Sequence, residues 1–214
     1  MAITSKRVFY KTSNSYETLN PLTPNTKNIW LALHGIGYLS RYFLRSFEEL
    51  DNNENYIIAP QAPSKYYLKD DYKYVGASWL TKEDTKSEIE NVMTYLDAVL
   101  ENENIPSTKN LIAFGFSQGV SVVTRFLVQR KIVPSVIILY AGSIPNEIRK
   151  EDFDYLDGAQ TKIKLVYGNR DHFLTADRLN AELEKAKYLF RGKAEIVKFD
   201  GGHEILPELL KKLV

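Results

Sequence analysis

The chain has 214 residues, 44% of them hydrophobic, with 28 basic side chains against 27 acidic ones and no cysteine. That is enough apolar material to fold as one domain, 1–214, and argues against disorder. A formal charge of +1 gives no reason to expect nucleic acid or an anionic membrane as partner. The missing thiols exclude disulfides, thiolate metal sites and a cysteine nucleophile. Met1-Ala2-Ile3-Thr4-Ser5-Lys6-Arg7 leads into no long apolar stretch, and no run approaches the length of a membrane span. A leaderless cytoplasmic protein is therefore expected.

Lys6 to Tyr10 and Ser15 to Leu19 suggest an N-terminal strand or hairpin. Asn28-Ile29-Trp30-Leu31-Ala32-Leu33 reads as a buried strand, Arg41 to Leu50 as a short helix, and Tyr56-Ile57-Ile58-Ala59 as a second buried strand ended by prolines. Residues 64–82 read as irregular and are rich in tyrosine. Asp84 to Asn102 has Ile89, Val92, Met93, Leu96, Val99 and Leu100 at helical spacing. Strand Leu111 to Phe116 precedes helix Gln118 to Gln129. Strands Ser135 to Ala141 and Lys162 to Tyr167, helix Ala176 to Phe190, strand Ala194 to Phe199 and a closing helix Glu204 to Leu213 follow. Continuous Val/Ile/Leu runs separated by amphipathic helices predict an α/β fold, a mostly parallel sheet with helices on both faces. No segment between strands is long enough to build a cap domain. Ligand chemistry on such sheets gathers outside the carboxyl ends of the strands.

Gly115-Phe116-Ser117-Gln118-Gly119 joins a buried strand directly to an apolar-periodic helix. Such a turn is sharp, so its flanking positions suit glycine, and it lifts the serine above the sheet edge at a helix N-terminus. A serine hydroxyl needs a base to act as nucleophile, usually histidine. The chain has three histidines, His34, His172 and His203. On a sheet of this kind the acid and then the base follow the serine in chain order, which selects His203, after Asp200-Gly201-Gly202. Asp171, in the loop Gly168-Asn169-Arg170 after an earlier strand, is the favoured acid. Asp200 is its competitor but shares the histidine's own loop. His172 then reads as a polar loop residue. The oxyanion of a tetrahedral intermediate needs N–H donors. The residue after the serine, Gln118, supplies one, and His34-Gly35-Ile36-Gly37 at the end of the first buried strand supplies the other, at Ile36. His34 itself reads as a structural residue that fixes this loop.

Leu33-His34-Gly35-Ile36-Gly37, Gly115-Phe116-Ser117-Gln118-Gly119, Gly168-Asn169-Arg170-Asp171 and Gly202-His203-Glu204-Ile205 together resemble the α/β-hydrolase superfamily. Within it the chain is similar to the phospholipase/carboxylesterase family that includes acyl-protein thioesterases, over the span from Ile29 to the C-terminus. The resemblance implies a carboxylic-ester or thioester hydrolase with Ser117, Asp171 and His203 as catalytic triad and Ile36 and Gln118 as oxyanion donors. Neither metal nor organic cofactor is expected, only a small-molecule ester substrate. Gly76-Ala77-Ser78-Trp79 is similar to a segment that carries a pocket tryptophan in the family, so Trp79 is expected to line the substrate site. Two positions depart from the family pattern. Tyr38 stands where an Asp is usual, and either narrows the pocket or packs on the surface. Val120 stands where a second Gly is usual after the elbow.

Overall fold

Nine strands and five α-helices run along residues 3–214, the part described by the computed structural model; Met1 and Ala2 of the N-terminal stretch lie outside it. The strands are β1 (Tyr16–Leu19), β2 (Asn28–Leu33), β3 (Asn55–Pro60), β4 (Ser64–Tyr67), β5 (Val75–Ser78), β6 (Asn110–Phe116), β7 (Val136–Tyr140), β8 (Lys162–Gly168) and β9 (Ala194–Phe199). The helices are α1 (Ser40–Phe43), α2 (Thr85–Glu103), α3 (Gln118–Arg130), α4 (Ala176–Leu189) and α5 (Pro207–Leu210). Seven strands form one sheet in the order β1-β3-β2-β6-β7-β8-β9, parallel throughout except that β1 runs antiparallel to β3.

The two-residue alternation of a strand sorts the core into two layers. From β2, Trp30 and Ala32 join Phe43, Phe47, Phe114, Tyr140 and Leu210 on one face. Leu31 and Leu33 join Val92, Leu96, Val123 and Leu127 on the other. Helices α2, α3 and α4 thus cover one face, and the shorter α1 and α5 cover its opposite. The chain lays β3 on one side of β2 and then crosses to lay β6 on the other. That reversal leaves a crevice at the carboxyl ends of β2 and β6. Among the described residues no cap domain interrupts the strands, and no helix is long and apolar enough to cross a membrane.

Four expectations change. Arg41 to Leu50 is not one helix: α1 gives way to a 3-10 turn, Leu44–Phe47. A 3-10 turn aligns residues three apart, which sends both Leu44 and Phe47 into the core. The irregular stretch 64–82 contains the antiparallel hairpin β4–β5. It escapes sequence detection because β4 is exposed on both faces and β5 carries Gly76. That glycine permits close backbone approach: a Cβ there would lie 2.5 Å from the Gly37 carbonyl oxygen. Lys6 to Tyr10 forms no strand, and the antiparallel edge is made by Tyr16–Leu19 alone. The closing helix shrinks to Pro207–Leu210. Proline disfavours a helical residue before it and suits the first helical position, so Glu204 to Leu206 stay outside.

Phe114 is fully buried and packs its ring 5.3 Å from Phe47, 5.8 Å from Tyr140 and 6.2 Å from both Trp30 and Phe43. Phe114→Ala is expected to lower stability by about 3–5 kcal/mol in urea unfolding. Tyr188→Ala, on an exposed face of α4, should stay within about 0.5 kcal/mol. A loss below about 1 kcal/mol for Phe114→Ala would contradict this account of the core.

Candidate active site

The elbow forms because β6 must end where α3 begins, with no residue spare for a loop. Ser117 absorbs the whole change of direction and takes φ 53° and ψ −116°, a conformation that costs a non-glycine residue about 1–3 kcal/mol. Its neighbours hold it there. The Ser117 N–H donates to the Tyr140 carbonyl at 2.9 Å. A Cβ on Gly115 would lie 2.6 Å from the Gly119 carbonyl oxygen, and a Cβ on Gly119 would drive into the Leu33 carbonyl. Gly142, after β7, is a further glycine of this kind: its Cβ would strike the Ser117 carbonyl and come 2.6 Å from Val120 Cγ2. Val120 is fully buried, so the extra bulk of this departure from the family pattern is accommodated by a glycine on the facing loop. Gly142 was not among the expected site residues; its place just beyond a buried strand is the signal that could have found it.

Two loops bring the partners. After β8, Asp171 is held with its side chain fully buried. After β9, His203 comes back across the sheet edge. The loops are joined to each other: Asn169 N–H donates to the Phe199 carbonyl at 2.9 Å, Arg170 N–H to the Gly201 carbonyl at 2.9 Å, and Gly201 N–H to Asn169 Oδ1 at 3.1 Å. Gly202 N–H donates to Glu204 Oε1 at 3.0 Å, the contact that replaces the first turn of the expected closing helix.

The result is a hydrogen-bonded row. His203 Nδ1 lies 2.7 Å from Asp171 Oδ2, and His203 Nε2 lies 2.9 Å from Ser117 Oγ. A carboxylate only accepts, so Nδ1 carries the proton, and Nε2 presents its lone pair to the serine hydroxyl. The other Asp171 oxygen accepts the Phe173 N–H at 2.9 Å. Asp200 is turned away, with an exposed side chain paired to Arg170. His172 is exposed and lies tilted beside Phe173, ring centroids 4.0 Å apart. The His203 ring lies between Phe116 at 5.1 Å and Phe173 at 4.8 Å. Phe173, half exposed, is an aromatic neighbour of the site that sequence reasoning passed over. A serine so placed can lose its proton to the imidazole as it attacks, while the buried carboxylate stabilises the imidazolium that forms.

The loop after β2 abuts the serine: a Cβ on Gly35 would lie 3.0 Å from Ser117 Cβ. Tyr38 N–H donates back to the Gly35 carbonyl at 3.3 Å, closing a turn in which Gly37 takes φ 86°, the conformation glycine supplies at the third position of such turns. Ile36 precedes it, so its N–H is not used by the turn. Neither Ile36 N–H nor Gln118 N–H has an acceptor among the described residues. The Gln118 side chain does something unforeseen. Its Oε1 accepts the Trp79 N–H at 2.8 Å and its Nε2 donates to the Leu80 carbonyl at 2.7 Å, tying the chain after β5 to the elbow. Trp79 itself is not a pocket wall as expected. It is fully buried, and its indole N–H donates to the His34 carbonyl at 2.8 Å, because the buried N–H needs an acceptor. Tyr38 stays 39% exposed with its ring edge-on to Phe116 at 5.8 Å, so it packs against the site and still reaches its rim. Burial, with the charge of Glu204 adding, pushes its phenol up.

A surface depression of about 910 Å³ lies at the opposite end of the sheet, lined by Lys27, Glu54 and Lys109 among others. It is polar and far from this row of side chains, so its size does not locate chemistry. Among the described residues no group of three or more His, Asp or Glu side chains could hold a metal ion.

His34 anchors the base of the Ile36 loop. It is fully buried, and burial pushes its imidazole down from 6.5 to about 4. Its Nδ1–H donates to the Gly35 carbonyl at 2.7 Å, and Nε2 accepts the Ala62 N–H at 3.1 Å. The unfolded chain therefore binds a proton here at a higher pH than the folded one. Stability is unaffected by this group above about pH 6.5 and falls as pH drops toward 4, by about 3 kcal/mol in all and mostly by pH 4.5. Urea titrations at pH 7.5 and 4.5 should show wild type losing about 2–3 kcal/mol more across that interval than His34→Asn, itself less stable at pH 7.5. Equal losses would refute this.

The sequence profile of the phospholipase/carboxylesterase family matches residues 14–214. No curated protein matches the sequence closely enough to count as a relative. Among solved structures, acyl-protein thioesterase 2 of Zea mays superposes with a TM-score of 0.67 at 17% identity, over 94% of this chain and 96% of that one. A phospholipase/carboxylesterase of Dyadobacter fermentans gives 0.61 at 18% identity, over 95% and 97%. The carboxylesterase of Bacillus cereus gives 0.62 at 14%, over 93% and 91%. At such identities these likenesses show a shared fold, the α/β-hydrolase fold. The profile match over nearly the whole chain shows more: the protein belongs to the phospholipase/carboxylesterase family of hydrolases.

Proposed function

We propose that the chain is a single-domain, cytoplasmic serine carboxylesterase acting on short- to medium-chain esters. The observation that carries this reading is the continuous hydrogen-bonded row from a buried carboxylate through His203 to the strained Ser117. Ser117 Oγ attacks the acyl carbonyl carbon and passes its proton to His203 Nε2. The carbonyl π electrons move to oxygen, and the N–H groups of Ile36 and Gln118 stabilise the resulting oxyanion. Collapse expels the alcohol, which takes the proton from His203 and leaves an acyl-enzyme. Water then attacks with His203 as base, and a second collapse releases the acid and regenerates Ser117. Tyr38 and Phe173 would flank the substrate. Ser117→Ala and His203→Ala should each lower kcat by roughly four to six orders of magnitude while leaving the unfolding transition in place, and the double variant should be little worse than either single one. Asp171→Asn, which favours the wrong imidazole tautomer, should cost about 10⁴-fold. Near-normal turnover in Ser117→Ala would end the serine mechanism. If Asp200→Ala were severe and Asp171→Ala mild, the acid would be misassigned.

A second reading, an acyl-protein thioesterase or lysophospholipase, is favoured by the exposed apolar side chains of Ile36, Leu68 and Phe173 at the rim. The hairpin β4–β5 beside this rim is tyrosine-rich and short, which suits an open shelf more than a deep tunnel. Each buried methylene still adds about 0.8 kcal/mol, so some gain with chain length is expected. On p-nitrophenyl esters kcat/KM should peak between acetate and octanoate, with no jump at a lipid–water interface. A rate that keeps climbing to palmitate, or activation by micelles, would put the second reading first. A chain left unlabelled by a fluorophosphonate probe would instead be an inert member of the fold.

A further inference from the structure

The loop that carries Ile36 runs from His34 to Ser40, and both of its ends meet one side chain, that of Gln61. Gln61 follows β3 directly and is 3% exposed. At the far end of the loop, the Ser40 N–H donates to Gln61 Oε1 at 3.0 Å. At the near end, the Gln61 amide nitrogen lies 3.4 Å from His34 Nε2 and donates to the Ala62 carbonyl at 3.2 Å. His34 Nε2 is an acceptor, since Nδ1 holds the ring proton against the Gly35 carbonyl. It takes the Ala62 N–H and faces the second amide proton of Gln61. The Ser40 hydroxyl also approaches Gln61 Oε1, at 3.0 Å, but makes its closest contact with the Glu17 carboxylate on β1. A hydroxyl has one proton to give, and the carboxylate is the stronger acceptor. The main chain of Gln61 is held in turn: its N–H donates to the Ser15 carbonyl at 3.1 Å and its carbonyl accepts from Asn14 Nδ2 at 2.6 Å.

We propose that Gln61, backed by Ser40 and Glu17, is a positioning residue for the oxyanion loop, a staple that fixes both ends of His34–Ser40 so that the Ile36 N–H is aimed before substrate arrives. The chemistry requires such a device. A donor to a developing oxyanion is effective only if it is already in place, and removing one costs about 10²- to 10³-fold in kcat. The Ile36 N–H shares a planar peptide with the Gly35 carbonyl, which accepts from His34 Nδ1–H at 2.7 Å and from Tyr38 N–H at 3.3 Å. Gln61 meets the His34 ring that makes the first of these bonds and the Ser40 N–H beyond the turn that makes the second, so it steadies the aim of that peptide from both sides. The staple also makes β1, an edge strand remote from Ser117 in the sheet order, part of the machinery. The inference rests on the serine-hydrolase reading above.

The test is Gln61→Met, which keeps the length of the side chain and removes its hydrogen bonds, with Gln61→Asn as a milder cut that keeps a buried amide but is one methylene too short to hold both ends of the loop. Competent sites are counted by exhaustive fluorophosphonate labelling, so that kcat refers to folded, reactive serine. Gln61→Met should lower kcat per site at least about tenfold. KM for p-nitrophenyl butyrate should stay within about twofold, and inhibition by phenylboronic acid, which forms a tetrahedral adduct on the serine, should weaken in proportion to kcat. A folded variant that keeps kcat per site within about twofold, or that loses rate only through KM or through fewer labelled sites, overturns the proposal. If Gln61→Met does not fold, Gln61→Asn decides. A fall in kcat of about threefold or more at constant KM supports the staple, and an unchanged kcat overturns it. A wild-type protein that neither takes the probe nor hydrolyses the ester would overturn the functional reading and this inference together.

Discussion

The close approach of β6 and the start of α3 to the end of β2 is the constraint on which the site depends. Gly119 packs against the Leu33 carbonyl so tightly that no side chain fits between them. With that contact in place the elbow has one shape available, and Ser117 must occupy a backbone region that other residues avoid. The strain is sustained by the sheet: the Ser117 N–H is held by Tyr140 of the neighbouring strand, and Gly142 on the next loop leaves room for the serine's carbonyl. Large apolar side chains, Phe114, Phe116 and Tyr140 among them, fill the layer beneath and keep the strands from yielding.

Around this fixed point the remaining parts are set by pairs of loops that hold one another. The loops after β8 and β9 share three hydrogen bonds besides the Asp171–His203 and Arg170–Asp200 pairs, and Gly168 lets them touch, since a Cβ there would collide with the carbonyls of Gly201 and Gly202. Asp171 and His203 are therefore held by two loops bonded to each other. On the other side of the serine, the loop after β2 is tied to β5 through Gly37, to Trp79 through the His34 carbonyl, and to Gln61 at both ends. The Gln118 side chain closes the circuit by holding Trp79 from the elbow. Each polar group buried in this way has a partner, as groups removed from water require. Among the described residues the one buried side-chain polar atom without a partner is the hydroxyl of Tyr155.

Much of the architecture was legible because its signals are local. Continuous apolar runs located the central strands to within a residue or two, and the spacing of Val92, Met93, Leu96 and Val99 located α2. The misreadings share one cause. Hairpin β4–β5, the 3-10 turn at Leu44 and the one-turn α5 are short elements whose form depends on what they lie against. β4 is exposed on all four residues and carries no burial pattern to read. Trp79 was misplaced for a related reason: a tryptophan near a site can face substrate or support the loop behind it, and only the His34 carbonyl decides between the two.

Chain order and residue type by themselves determined which serine and histidine could meet and narrowed the acid to Asp171 or Asp200, because strand ends of a parallel sheet all open to one edge and only a few titratable groups stand there. They also determined the elbow, since a glycine on each side of a serine between strand and helix has few other uses. Only the tertiary structure decided which of Asp171 and Asp200 faces the imidazole, that Tyr38 packs on Phe116 and still reaches the rim, and that Gln61 meets both ends of the loop after β2 and Gly142 the elbow. The physical reason is distance along the chain. Asp200 is three residues from His203, yet its side chain turns to Arg170 in solvent. Asp171, 32 residues away in sequence, sits buried 2.7 Å from the ring. Contacts between loops depend on the twist and spacing of the strands that carry them, and these are properties of the assembled sheet that no stretch of sequence contains.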